Sequence, residues 1–173
     1  MARSLNVWRV PFARAAELVG ELDADLAVRY GGGGDPVHAP ALEFDGPGGQ
    51  MLLAIIDGEP VGCVGLRRID HQTAELKRMY VRPHARGRGI ARELLAACER
   101  QAMELGYAQL WLETGTMQPE ALTLYLTSGY EPIPAFGQYA GQSLSIHLGR
   151  ALSPSPRANA DVSRCDSSQC GSH

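Results

Sequence analysis

The sequence lacks any apolar segment long enough to span a bilayer. Its longest uninterrupted run, Met51 to Ile56, falls far short of the roughly 20 residues such a helix needs. No unbroken apolar stretch follows the start Met1-Ala2-Arg3-Ser4, so no secretory signal and no membrane partner are expected. Basic charge is not in excess either: 16 Lys and Arg against 19 Asp and Glu leave a net charge of −3, which argues against nucleic acid as a partner. Cysteine and histidine are sparse and badly spaced for metal. Cys63 and Cys98 sit in apolar stretches and read as small core residues. Cys165 and Cys170 lie in a polar tail, at a spacing unlike the usual zinc pairs. His38, His71, His84, His147 and His173 form no ligand-spaced group, so no metal site is expected. Reduced thiols without a signal point to the cytoplasm.

Two familiar nucleotide motifs are also missing. No Gly-x-x-x-x-Gly-Lys-Ser/Thr run occurs, and the four glycines Gly31 to Gly34 lead into Asp35 and Pro36 instead of a lysine and a helix. The dinucleotide fingerprint fails because Arg92 stands where its third glycine belongs.

The 173 residues, 45% apolar and 20% charged, suit one soluble domain with a real core. Leu5 to Val10 predicts a strand. Pro11 then opens a helix whose stripe is Phe12, Ala15, Ala16, Val19, Leu22, Leu26 and Tyr30, ending at Gly31. Gly31 to Gln50 reads as a loop with room for one short helical turn, and a loop this long suits a lid over a substrate. Asp57-Gly58 joins strands Met51–Asp57 and Pro60–Arg68 as a hairpin. A further strand, Thr73 to Val81, has broken apolar parity, which predicts a bulge or burial on both faces. A helix follows from Gly89 to about Leu105, then a strand from Ala108 to Glu113. Pro119 opens a helix ending at Gly129, and Tyr130–Ala135 and Gln142–Leu148 read as the last strands. After Arg150 the composition turns polar and Ser-rich, so residues 151–173 are expected to form a disordered tail on a domain of residues 1–150. The alternation is α/β with a central mixed sheet.

The chemistry concentrates at Arg86-Gly87-Arg88-Gly89-Ile90-Ala91, between a strand and a helix. A helix start offers unpaired N–H groups and partial positive charge, and glycines let the backbone approach an anion closely. Arg78, Arg82, His84, Arg86, Arg88 and Arg92 form a local basic cluster in an otherwise acidic chain, which favours a small anionic ligand.

The run Glu75 to Ala91 resembles the acyl-CoA-binding segment of the GNAT superfamily of N-acetyltransferases. Arg86, Gly89 and Ala91 fit that family's Gln/Arg-x-x-Gly-x-Gly/Ala signature. Leu124-Tyr125 with Ser128-Gly129-Tyr130 is similar to its Leu-Tyr-x-x-x-Gly-Phe landmark, and Gly106-Tyr107 before the strand to Glu113 fits as well. The resemblance spans roughly Leu5 to Leu148 and is strongest from Glu75 to Tyr139.

It implies a GNAT-like α/β fold: a mixed, mostly antiparallel twisted sheet, splayed in the middle and flanked by helices. Acetyl-CoA would be the cosubstrate. Its pyrophosphate would meet Arg86, Gly87, Arg88, Gly89, Ile90 and Ala91, and its pantetheine the strand edge at Met79, Tyr80 and Val81. Arg82, Arg88 and Arg92 are open candidates for the ribose phosphate. Glu75 matches the general-base glutamate of some family members, with Glu113 as its rival. Tyr125 matches the general-acid tyrosine, and an N–H near Met79 would take the oxyanion role. The acidic residues Asp35, Glu43 and Asp45 in the candidate lid favour a cationic small-molecule amine as acceptor. Protein N-termini or lysines, and a CoA-binding module without turnover, are the alternatives. A homodimer is compatible with the family.

Overall fold

The computed structural model describes residues 4–32 and 41–153. Residues 154–173 of the expected tail, with Cys165 and Cys170, lie outside the described residues, as do Asp35 and His38. The chain begins with strand β1 (Leu5–Val10) and helix α1 (Phe12–Arg29), followed by the short helix α2 (Ala41–Asp45). Strands β2 (Gln50–Ile56), β3 (Glu59–Arg68) and β4 (Thr73–Val81) come next. Helix α3 (Ile90–Glu104), strand β5 (Gln109–Gly115) and helix α4 (Pro119–Thr127) follow. Strands β6 (Glu131–Pro132) and β7 (Ser145–Ala151) close the sheet.

The sheet order is β1-β2-β3-β4-β5-β7-β6, and every neighbouring pair is antiparallel except β4 and β5. This is the expected mixed, mostly antiparallel sheet. One face carries α3 over Leu52, Val64, Leu66, Leu76 and Leu112. The other carries α1 and α2 over Met51, Leu53, Cys63 and Tyr80. Leucine and valine on both parities of β2 and β3 follow from this double covering.

α1 buries Ala15, Leu18, Val19 and Leu22, the 3–4 spacing of one helical face. Leu18 is buried where the sequence stripe placed Ala16; the larger side chain gains more from burial, and the helix turns accordingly. Pro11 sits at the N-cap, one position before the expected first turn. The N–H of Phe12 is capped across the fold by the Asp45 carboxylate at 2.8 Å.

The Asp57–Gly58 hairpin forms with both residues at positive φ, 52° and 83°. The broken parity of β4 is a bulge: Cys63 pairs with Tyr80 and Gly65 with Lys77, so Arg78 and Met79 share the single opposite residue Val64. Arg78 takes a left-handed conformation there, φ 59°.

The last strands differ from expectation. The ladder with β7 covers Glu131 and Pro132, with one further bond from the Ile133 N–H to His147 O at 3.1 Å, because Pro132 and Pro134 have no N–H to donate and such residues survive only at an edge. β7 lies three residues later than its sequence pattern suggests and pairs with β5 throughout, from Ser145 to Ala151. The Leu152 N–H then bonds Ala108 O at 2.8 Å, carrying the sheet past the expected boundary at Arg150.

Candidate functional site

The one parallel pair decides where a ligand can enter. β4 bonds β5 only from Thr73 to Leu76, opposite Gln109 to Leu112, and the two strands then part. From Lys77 onward β4 is held by β3 alone. The Arg82 N–H reaches Val61 O at 2.8 Å, and Tyr80 pairs with Cys63. Backbone groups alternate in direction along a strand, so those of Met79 and Val81 face the parting. A cleft of about 350 Å³ opens there, between the β4 edge, the start of α3, the last turns of α1 and the first turn of α4.

The loop Arg86–Gly89 forms one end of this cleft. Gly87 and Gly89 both have positive φ, 73° and 78°, and Gly89 caps α3 in the left-handed conformation. A Cβ at either would meet nothing within 4 Å, so the glycines answer a dihedral demand and leave open space before the loop. The first α3 bond runs from the Glu93 N–H to Gly89 O, so the N–H groups of Ile90, Ala91 and Arg92 precede the ladder. That is the arrangement by which helix starts take anions.

The arginines divide. Arg86 donates from Nε to Val81 O at 2.8 Å and lies over the Tyr80 ring, so its head is folded back on the end of β4. Arg92 lines the cleft and donates to Thr127 Oγ1 at 2.8 Å. Arg88 is exposed and does not line the cleft. Arg82 must be withdrawn as a phosphate candidate. Its guanidinium binds Glu21 at 2.8 Å, Glu17 at 2.9 Å and Pro60 O at 2.9 Å, clamping α1 to the sheet. Its hydrogen bond holds the Glu21 carboxyl below the ordinary range.

A smaller cavity of about 130 Å³ lies deeper on the α1 face, lined by Glu75, Lys77, Glu113, Tyr125 and Tyr139. It shares Leu22, Met79, Gln118 and Ala121 with the cleft, so the two spaces meet at the bulge. Tyr125 is buried on α4, edge-on to Tyr130 with ring centroids 5.8 Å apart. Burial pushes its phenol well above the usual range, so it keeps its proton at any working pH. Glu75 is also buried, but its Oε2 accepts from Arg67 Nε at 2.7 Å, and Lys77 Nζ is 3.9 Å from its other oxygen. Glu113 is only partly exposed, and burial raises its carboxyl above the ordinary value. The Ser145 hydroxyl, His147 and Lys77 oppose that rise.

Lys77, Tyr139 and His147 were not singled out in the sequence. Lys77 shares a face with Glu75 by strand alternation and lies against the Tyr139 ring, 5.5 Å from its centroid. His147 faces Glu113 only through the β5–β7 register, and its ring stands edge-on to Phe136 at 5.2 Å. Strand alternation links Lys77 to Glu75 within a short window, but no short-range signal links Tyr139 or His147 to them. Among the expected lid acids, Glu43 accepts from Arg67 at 2.6 Å and Asp45 caps Phe12, so both are engaged within the fold. The end of α1 closes the cleft against α4: Arg29 pairs with Glu120 and donates to Met117 O, while the Tyr30 hydroxyl accepts from the Met117 N–H.

A mostly antiparallel sheet that parts at its single parallel pair, with a glycine loop and a helix start beside the parting, defines an acetyltransferase architecture. The chain belongs to the acetyltransferase (GNAT) family, whose profile matches residues 21–130. It is 38% identical over 139 residues to a protein of Azospirillum brasilense named IAA acetyltransferase, covering 79% of this chain and 89% of that one. Among solved structures, a putative acyl-CoA N-acyltransferase from Klebsiella pneumoniae superposes with TM-score 0.72 at 28% identity, over 86% of this chain and 97% of that one. A GNAT family acetyltransferase from Elizabethkingia anophelis, solved with acetyl-CoA bound, has the same fold, with TM-score 0.62 at 20% identity over 86% of this chain and 98% of that one.

Proposed function

We propose that the protein transfers an acetyl group from acetyl-CoA to a primary amine of a small molecule, with both substrates bound at once. The observation that carries this reading is the meeting of the two spaces at Met79. An anion-binding cleft opens there into a small cavity holding a proton-avid carboxylate, Glu113, and a protonated phenol, Tyr125. The N–H groups of Ile90, Ala91 and Arg92 suit a pyrophosphate, and the backbone of Met79 and Val81 suits amides laid along a strand edge.

The chemistry follows from proton bookkeeping. A free amine has a pKa near 10, so it arrives at neutral pH mostly as ammonium. Glu113 accepts its proton, and the neutral nitrogen attacks the thioester carbon. The C–N bond forms, the C–S bond breaks, Tyr125 donates a proton to the departing sulfur, and the second proton that the nitrogen sheds in becoming an amide returns Tyr125 to the neutral phenol. The Met79 N–H, facing the same junction, suits the charge that builds on the carbonyl oxygen. Glu75, bound by Arg67, acts as a fixed charge that favours the incoming ammonium. The cavity of about 130 Å³ suits a compact acceptor.

Titration calorimetry with acetyl-CoA, followed by an amine screen read by free-thiol release, tests this reading. Intersecting initial-rate lines are expected. Parallel lines would replace direct transfer with an acetyl-enzyme, and thiol release with no amine at all would overturn the activity.

A further inference from the structure

The bulge in β4 carries a contact that the transfer chemistry above leaves without a role. Cys63 is fully buried in β3, and its thiol donates to the carbonyl oxygen of Arg78 at 3.3 Å. Arg78 is the residue at φ 59°, a left-handed conformation that L-residues adopt only at a cost. Its guanidinium is anchored to Asp23 of α1 at 2.8 Å. Side chain and main chain of one strained residue are thus each held by a separate partner, the half-buried Asp23 and the buried Cys63.

The geometry gives this hold a consequence. A trans peptide is planar, and its C=O and N–H point in opposite directions. The carbonyl of the Arg78–Met79 peptide points toward β3, at Cys63. The N–H of that same peptide, which belongs to Met79, therefore points away from β3 and into the parting between β4 and β5. We propose that Cys63 is a positioning residue for acetyl transfer: by gripping the Arg78 carbonyl it fixes the peptide plane that aims the Met79 N–H at the thioester oxygen. The inference rests on the transfer reading given above. Burial pushes the Cys63 thiol up to about 12, so it remains an S–H donor throughout the working range. Without that donor, the strained residue can relax and the N–H can swing off its target.

Three substitutions separate aim from packing. Cys63→Ala removes the donor and a little volume, Cys63→Val fills the space without a donor, and Cys63→Ser restores a donor. Losing an aimed oxyanion donor outright costs about 100- to 1000-fold in kcat, so misaiming one should cost roughly 5- to 20-fold. Ala and Val are expected to show that loss in kcat, with KM for acetyl-CoA within about twofold, because the pyrophosphate loop is untouched. Ser should recover most of the loss. Difference infrared spectra of 13C-carbonyl acetyl-CoA supply a second readout: the downshift of the thioester band on binding should shrink in Ala and Val and return in Ser. If Cys63→Ala does not fold, Val and Ser carry the same comparison.

Folded Ala or Val variants with wild-type kcat and an unshifted band would overturn the proposal. So would a folded Ser variant as slow as Val. If the unmodified protein neither binds acetyl-CoA nor releases thiol, the transfer reading itself falls, and that is seen before any variant is made.

Discussion

Replacing Glu113 by Gln tests the proton path. The substitution keeps shape and the capacity to bond Ser145, but the amide cannot take a proton from an ammonium. A positioned general base is worth about 100- to 10,000-fold, or roughly 3–5 kcal/mol of barrier. The raised carboxyl pKa places Glu113 toward the strong end, since burial makes it a better proton acceptor once ionised. Glu113 must be ionised to act, so kcat/KM should rise with pH through a group titrating above the ordinary glutamate value of 4.5. Continuous thiol detection across pH should show that limb in the wild type and not in Glu113→Gln. The deficit should be at least 100-fold near neutrality and narrow toward the amine's own pKa near 10, where the substrate needs no base.

Stability should move the opposite way. A group whose pKa is raised by folding stabilises fully below its unfolded value, and that contribution is lost as pH rises through the folded value. Near neutrality the ionised Glu113 therefore costs stability, and Glu113→Gln should melt no lower than wild type. An unchanged rate with an unchanged pH profile would remove Glu113 from the mechanism. If Glu75→Gln abolished the acid limb instead, the base would be Glu75.

Other substitutions separate site from scaffold. Glu75→Gln should leave the acid limb in place but destabilise by about 1–3 kcal/mol, because it strips a buried partner from Arg67, which keeps Glu43; thermal melting measures this. Tyr125→Phe keeps the ring against Tyr130 and removes only the donor, so kcat should fall about tenfold or more with Tm nearly unchanged. A wild-type rate with a good amine would make Tyr125 a core aromatic. Gly89→Ala meets no steric obstacle but places an L-residue in the left-handed region, a cost of about 1–2 kcal/mol, and should raise KM for acetyl-CoA more than it lowers kcat. Arg82→Ala should lower Tm through the loss of Glu21 and Glu17 while leaving KM for acetyl-CoA within about twofold; a large KM rise would return Arg82 to the cofactor.

The glycine loop before α3 was legible because its ingredients are local. Two glycines with positive φ, a following helix start and nearby arginines lie within a few residues of one another. The Asp57–Gly58 hairpin and the bulge in β4 were legible for the same reason, since turn chemistry and side-chain parity show in a short window. The Arg82 side chain was not, because its partners Glu17 and Glu21 lie on α1 and only folding brings them across. Glu43 and Asp45 read as lid charges in sequence, but folding binds them to Arg67 and to the Phe12 N–H. The last strands shifted because β7 takes its register from β5, and edge prolines leave β6 little to pair with.

The sequence by itself determined the class of fold and the glycine loop that opens α3, since periodicity, glycine geometry and helix-end charge act over one to a few turns of chain. Tertiary structure alone decided which charges remain available in the site. Glu75 is bound by Arg67 through β3–β4 pairing, whereas burial raises Glu113 in a cavity it shares with Tyr125 of α4 and Tyr139, beside its β7 partner His147. Electrostatic environment is a property of neighbours in space, and for these carboxylates most of those neighbours lie far away along the chain.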